Sequence, residues 1–470
     1  MRRVPPGAPI LTADAMRRAE SAAFAGGITQ GELMERAGLA VAREVHRHVG
    51  GRSVLVLAGP GNNGGDAYVV ARLLEAWGHD VVVAAIGGAD QGAAAEARRR
   101  WKGAVLAFAQ APLRPVLVDG VFGTGLTRAL DAEIAGPLGA LRDAADFCIA
   151  IDVPSGLDTD RGTSPGDVVR ADLTVALGAL KPCHLLSEGA SWSGHVTLAD
   201  LGIDVTSAWR TLDRPVGVRP DSDAHKFTRG LVLVVSGAMA GASRLSAAAA
   251  LRTGAGYVML ATPDGRGGPF DAIVTKKVVD LADLSAIIAD RTIDALCIGP
   301  GLGRDERASA LLDAALASDL PLVLDGDALT LLGRSAAARL ARRSVPTILT
   351  PHGGEFDRMF GQAEDSKIAR TLDAARGTGA IIVHKGSDTV IAHPDGRVVV
   401  SAVAPPTLAT AGSGDVLAGL IAGRLATGQQ PFAAVSAAAW LHMRAAEIAG
   451  PGLVADDLIA HSAAAMRELW

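Results

Sequence analysis

The chain has 470 residues, 49% of them hydrophobic and 20% charged. At roughly 100–200 residues per domain, that length suits two domains, or three small ones, each able to bury a core. A formal net charge of -5 with no long basic run excludes a nucleic-acid groove as the organising feature. The 56 glycines follow no fixed period, which excludes collagen; they gather at the ends of apolar runs.

Residues 11–49 show helical periodicity through Leu33, Met34, Ala37, Ala40, Val41 and Val45. Strand-like and helical stretches then alternate. A strand over 53–58 precedes a Gly-rich turn and a helix predicted over 67–77. Another strand covers 80–86, and an Ala/Arg-rich helix follows. Further strands end at Asp119 and Asp152, and one spans 173–177. This is the βαβ order of a parallel sheet covered on both faces. Around 205–225, Pro215, Pro220 and several charges interrupt the pattern, which places the domain boundary there. The expected domains are 1–215 and 220–470. The second repeats the α/β grammar, with strands predicted at 231–235, 257–261, 294–299, 322–325, 347–350 and 381–384. Ala-rich helices are predicted at 414–427, 431–449 and 455–468.

The three cysteines, Cys148, Cys183 and Cys297, lie far apart without C-x-x-C spacing, and are expected as buried reduced thiols. The N-terminal MRRVPPGAPIL lacks an apolar h-region, and no run of ~18 apolar residues occurs, so a cytoplasmic location is expected. Only seven of the 45 basic residues are lysines, which draws attention to Lys226 and Lys385.

Open parallel sheets bind ligands beyond the carboxyl ends of their strands. After strand 53–58 stands Gly59-Pro60-Gly61-Asn62-Asn63-Gly64-Gly65-Asp66, a G-x-G-x-x-G match. The second strand ends at Ile86-Gly87 without the acid that holds a ribose, so a hydride-transfer dinucleotide site is rejected. What remains is a glycine turn offering backbone N–H groups at a helix N-terminus, suited to phosphate. Asp119 precedes a second Gly-rich loop, Gly120 to Leu126. Asp152 precedes Val153-Pro154-Ser155-Gly156. Asn63, Asp119 and Ser155 could converge as oxygen ligands of a monovalent cation such as potassium. Asp152 is a candidate acid/base.

GPGNNGGD, VDGVFGTGL and IDVPSGLD, in this order, resemble the YjeF-type N-terminal domain over about residues 10–210. The resemblance implies a Rossmann-like three-layer α/β/α fold and an NAD(P)H-hydrate epimerase. Such enzymes interconvert the R and S forms of NADHX and NADPHX, the coenzymes hydrated at C6 of the nicotinamide. Carried over by motif, Asn62, Asn63, Gly64, Gly65 and Asp66 would line the hydrate site. Gly123, Thr124, Gly125, Leu126, Thr127, Arg128 and Ala129 would join them. Asn63, Asp119 and Ser155 would bind potassium, and Asp152 would transfer the proton. Two positions depart from the pattern: Ala67 stands where glycine is usual, and Arg36 where asparagine is usual.

In the second half, Ala411-Gly412-Ser413-Gly414-Asp415 leads into a helix, pairing unpaired N–H groups with a carboxylate. Phosphoryl transfer needs this combination. No P-loop motif occurs. Lys385-Gly386-Ser387-Asp388-Thr389, Thr350-Pro351-His352, Asp325-Gly326-Asp327 and Gly299 to Gly303 stand at four other strand ends. LTPHGGEF, KGSDTVI and AGSGDVLAG resemble the ADP- or ATP-dependent NAD(P)H-hydrate dehydratases, of ribokinase-like α/β/α fold, over about residues 220–465. The resemblance implies phosphorylation of the C6 hydroxyl by ADP with magnesium, then loss of phosphate to restore NAD(P)H, with AMP as the other product. Lys385, Gly386, Ser387, Asp388, Thr389 and Gly414 would bind the adenine nucleotide. Asp415, as base, and His352 would contact the hydrate, with Ala242 and Gly303 lining the same pocket. Asp325 and Asp327 are polar pocket residues without an assigned role. The segment AGSGD stands where GGTGD is common, and Ser236-Gly237-Ala238 lacks a usual glycine. A homo-oligomer is expected, with no nucleic-acid or membrane partner. A small-molecule kinase stays open for the second half, and a non-enzymatic nucleotide-binding module for the first.

Overall fold

The chain divides at Thr211/Leu212 into two units, residues 1–211 and 212–470. The computed structural model describes residues 4–88, 91–126, 128–217, 219, 221–268, 270–290, 292–401 and 404–469.

In the first unit a seven-stranded parallel sheet runs in the order Val105–Ala107, Val81–Ala85, Val54–Ala58, Val116–Gly120, Phe147–Ile151, Leu173–Leu177, His195–Ala199. The order reverses between Val54–Ala58 and Val116–Gly120, which opens a crevice beyond their carboxyl ends. Alternation within one strand explains the layers. Val54, Val56 and Ala58 join a core with the helices Gln30–Val49 and Asn62–Ala76. Leu55 and Leu57 point to the other face, against Leu138 and Leu141 of the helix Ala132–Ala144. A strand buried on both faces has to be apolar throughout, and VLVLA is.

Two details correct the sequence expectations. The helical stretch 11–49 is two helices, Ala13–Ala25 and Gln30–Val49. Gly27 takes a φ of +99° between them. Thr29 then caps the second: its Oγ1 accepts from the Glu32 N–H at 3.2 Å, and the Glu32 carboxylate accepts from the Thr29 N–H at 2.8 Å. The helix predicted over 67–77 begins at Asn62, so Asn62 to Asp66 form its first turns and the bend itself is only Gly59-Pro60-Gly61.

The second sheet runs Val274–Lys277, Tyr257–Thr262, Leu231–Val235, Ala295–Ile298, Leu322–Leu324, Thr347–Leu349, Ile381–His384, all parallel. Val390–Ala392 and Val398–Val400 continue it antiparallel. The reversal falls between Leu231–Val235 and Ala295–Ile298. Val232 and Val234 pack on Ala247 to Ala250 of the helix Ala240–Arg252 and on the helix Ser413–Ala426. Small alanines let these two helices lie close. At Gly419 a Cβ would meet the Ser246 carbonyl oxygen at 2.1 Å. The helices Pro431–Ala449 and Ala455–Arg467 complete this layer. All three cysteines are buried and free. Among the described residues no helix is long and apolar enough to cross a membrane.

Two candidate active sites

At the crevice of the first sheet lies a cavity of about 510 Å³. Asn62, Asn63 and Asp66 line one wall, Gly123, Thr124, Gly125 and Leu126 another, and Asp152 the floor. Gly64 and Gly65 are buried behind this surface. None of Gly59, Gly61, Gly64 and Gly65 has a positive φ. Close approach requires three of them instead: a Cβ on Gly64 would meet the Gly59 carbonyl oxygen at 1.9 Å, one on Gly59 the Val121 carbonyl oxygen at 1.8 Å, and one on Gly65 the Met34 Cε at 2.5 Å, whereas Gly61 has open space around it. Arg128 extends to Asp131 at the surface, 3.8 Å away, and Ala129 lies against Gly166. Thr127 lies outside the described residues. Arg36 is exposed and donates to the Leu201 carbonyl at 2.9 Å, and Ala67 is buried with its methyl against Gly120.

Beneath the cavity Asp119 is fully buried. Its carboxylate accepts from the Ser155 hydroxyl at 2.6 Å, the Ser155 N–H at 2.8 Å and the Val121 N–H at 3.2 Å. Burial pushes its pKa up, and the bonds from Ser155 and Val121 oppose that. The Ser155 hydroxyl oxygen also accepts from the Phe122 N–H at 2.9 Å. Asn63 abuts Gly123, where a Cβ would come within 3.3 Å of Asn63 Oδ1. Its buried Nδ2 has no hydrogen-bond partner among the described residues. An amide oxygen, a hydroxyl and one carboxylate suit a hard monovalent cation. Among the described residues no group of three His, Cys, Asp or Glu side chains is placed to hold a metal.

Asp152 is the one described non-glycine residue with a positive φ, +62°. Such a conformation costs about 1–3 kcal/mol and persists where neighbours enforce it. Two residues do so that the sequence reading passed over. Lys181, fully buried, ion-pairs with the Asp152 carboxylate and donates to the Leu177 carbonyl at 2.8 Å. His184 Nδ1 accepts from the Lys181 N–H at 3.0 Å, so the ring's proton sits on Nε2, which donates to the Asp152 carbonyl at 2.7 Å. Burial, and then Lys181, push the His184 pKa down to about 4, keeping that tautomer neutral. The scarcity of lysine was the available signal for Lys181. Asp66 is driven well above the usual carboxylate range by burial, then by Asp152 and Glu20. One cavity therefore holds an ion-paired carboxylate and one whose burial favours its protonated form.

In the second unit the candidate residues, Ala242 apart, come from four strand ends and the first turn of the helix Ser413–Ala426. Asp325, buried, accepts from Lys385 Nζ and from the Thr350 hydroxyl, each at 2.7 Å. Gly414 lies beside this pair; a Cβ there would come within 3.1 Å of Lys385 Nζ. Asp415 sits in the first turn of the same helix, and its carbonyl accepts from the Ser246 hydroxyl at 2.8 Å. Ser246 also donates to the Ala242 carbonyl at 3.3 Å, so Ala242 stands one turn away on the supporting helix. Burial pushes the Asp415 carboxyl up to about 6; Asp325 adds to the rise and Lys385 opposes it. His352 caps the helix Gly353–Phe360: its Nδ1 accepts from the Gly354 N–H at 3.1 Å, while most of the ring is exposed. A β-bridge pairs His352 with Lys385. The Gly303 N–H donates to Asp327 at 2.9 Å. The Thr389 hydroxyl closes the Gly386-Ser387-Asp388 turn onto the Gly386 carbonyl at 3.0 Å. Asp388 turns inward and pairs with the largely buried Lys367 at 2.6 Å.

Fold and sites together define a two-unit α/β enzyme, each unit presenting a carboxylate and an amide-rich bend at the carboxyl edge of a parallel sheet. Residues 30–183 match the family model of the YjeF-related protein N-terminus, and residues 232–459 that of NAD(P)H-hydrate dehydratase. The bifunctional NAD(P)H-hydrate repair enzyme of Salinibacter ruber is 35% identical, the match covering 96% of this chain and 95% of that one. Its counterpart from Coxiella burnetii is 34% identical, covering 95% and 97%. A ribokinase-like superfamily protein from Enterococcus faecalis superposes with a TM-score of 0.50 at 25% identity, over 56% of this chain and 98% of its own. The chain belongs to the bifunctional NAD(P)H-hydrate repair enzymes. Its first unit carries the epimerase part and its second the dehydratase part.

Proposed function

We propose that the first unit interconverts R- and S-NAD(P)H hydrate in the Asp152 cavity, and that the second dehydrates the S form with ADP at Asp415. The observation that carries the first assignment is the shared cavity of Asp152, Asp66, Asn63 and the Gly123–Leu126 loop. Asp66, whose burial favours the protonated form, donates a proton, and the ion-paired Asp152 carboxylate accepts one. Asn63, Asp119 and Ser155 would hold potassium, which supplies positive charge beneath the bound coenzyme. Lys181 and His184 keep Asp152 in its strained pose.

In the second unit, Lys385, Gly386, Ser387, Thr389 and Gly414 hold the nucleotide, with Asp388 bracing the turn from behind. Magnesium arrives with ADP. Asp415 takes the proton of the C6 hydroxyl as that oxygen bonds to the β-phosphorus and AMP leaves. Phosphate then departs as the ring loses a proton, restoring the double bond. Ala242, Gly303 and His352 border the hydrate. A cytoplasmic, homo-oligomeric enzyme completes this reading.

The test incubates the protein with mixed hydrate epimers, ADP, magnesium and potassium. Full conversion to NAD(P)H with release of AMP and phosphate is expected. Recovery of the S fraction alone overturns the first assignment. A stable phosphorylated product, or no consumption of ADP, overturns the second.

A further inference from the structure

The second unit has another cavity, of about 610 Å³, at the end of its sheet opposite Asp415. Arg229, which lines it, stands just before the strand Leu231–Val235 begins, and Gly254 just before Tyr257–Thr262 begins. Arg424 lines it from the last turn of the helix whose first turn carries Asp415. Nine positions along a helix separate these two residues by roughly 14 Å.

The wall is cationic. Arg219, Arg229, Arg252, Arg424 and Arg467 face two aspartates, Asp221 and Asp223. Arg424 is 3% exposed. Its Nη1 donates to the Thr253 carbonyl at 3.3 Å, which caps the end of the neighbouring helix. Its Nε and Nη2 have no hydrogen-bond partner among the described residues. Nothing in the Nη1 bond requires the rest of a guanidinium, because a lysine or a hydroxyl could cap one carbonyl. Two further buried donors on a planar fork match two oxygens of an anion. On the same wall Gln429 Oε1 is buried and also lacks a partner among the described residues, which calls for a ligand hydroxyl. Leu251 and Met466 add apolar surface, and the described lining holds no Phe, Tyr or Trp on which a base could stack. The volume falls within the range of small-molecule sites and far exceeds an orthophosphate ion.

We propose that this cavity is a second ligand site, which takes a small phosphorylated polyhydroxy compound: phosphate oxygens on Arg424 and Arg467, a hydroxyl on Gln429. It is separate from the nucleotide cradle at the other end of the sheet.

The test is titration calorimetry on the full chain with AMP and magnesium saturating the nucleotide cradle. Ribose 5-phosphate and inorganic phosphate serve as probes. Ribose 5-phosphate should bind, and more tightly than inorganic phosphate. Arg424→Met and, separately, the exposed Arg467→Ala should each weaken it at least about tenfold, as loss of a charge-assisted hydrogen bond predicts. Arg467→Ala keeps the test valid if Arg424→Met fails to fold. No binding of ribose 5-phosphate at millimolar concentration overturns the proposal. So does binding that both folded variants retain, or equal affinity for the two probes.

Discussion

The two units set a reactive carboxylate at the same place, beyond the carboxyl end of a parallel sheet, by opposite means. Asp152 is locked. Its backbone is strained to φ +62°, its carbonyl is held by His184 and its carboxylate by a fully buried lysine. Asp415 lies in an ordinary helical turn, and its character comes from burial and from Asp325 close by. The first carboxylate is fixed by partners and the second tuned by surroundings. Substitutions around Asp152 should therefore act through geometry and stability, and those around Asp415 through protonation.

The largest effects are expected from the carboxylates themselves. Asp415→Asn should lower dehydration of S hydrate by about 10²–10⁴ while epimerisation stays intact, as read by separate assays of each step. Asp152→Asn should lower epimerisation by a similar factor and leave dehydration of purified S hydrate unchanged. Next comes Lys181→Met. Losing one partner of a buried pair costs about 3–5 kcal/mol, so the melting temperature of the first unit should fall. Adding Asp152→Asn to that variant should restore part of the stability, because no buried charge is then left alone.

Dehydration should also fail on the acid side below about pH 6, where Asp415 holds a proton. The sign follows from the base role: a base must be ionised, and its raised pKa delays ionisation. Asp325→Asn removes the neighbouring negative charge and frees Lys385, so both changes move this limb to lower pH. An unmoved limb breaks the contrast between tuned and locked carboxylates. The smallest effect is expected at Ser155→Ala, which removes one hydroxyl from Asp119. It should raise the potassium concentration for half-maximal epimerisation by about 2–10-fold.

Much of this was readable in the chain because the sheets are built from runs such as VLVLA, buried on both faces and therefore apolar throughout. The strand ends that carry Asp119, Asp152, Asp325 and Lys385 follow directly from those runs. The short strands Val105–Ala107, Val274–Lys277 and Val398–Val400 were not readable, since three or four residues, not all of them buried, carry too little pattern. The packing role of Gly64 and Gly65 was not legible for a different reason. A glycine needed for close packing looks identical in sequence to one needed for a left-handed turn. Lys181 and His184 went unseen because they follow Leu177 in an unremarkable loop and reach Asp152 only through the fold.

Complementation asks whether each unit holds its own complete site. Asp152→Asn and Asp415→Asn proteins are mixed in one tube with both hydrate epimers, ADP, magnesium and potassium, and NAD(P)H is followed by absorbance. Conversion of the whole substrate is expected, at a rate set by the amount of each protein. Conversion that stops at the S fraction, or does not begin, would show that the two carboxylates do not serve separate steps.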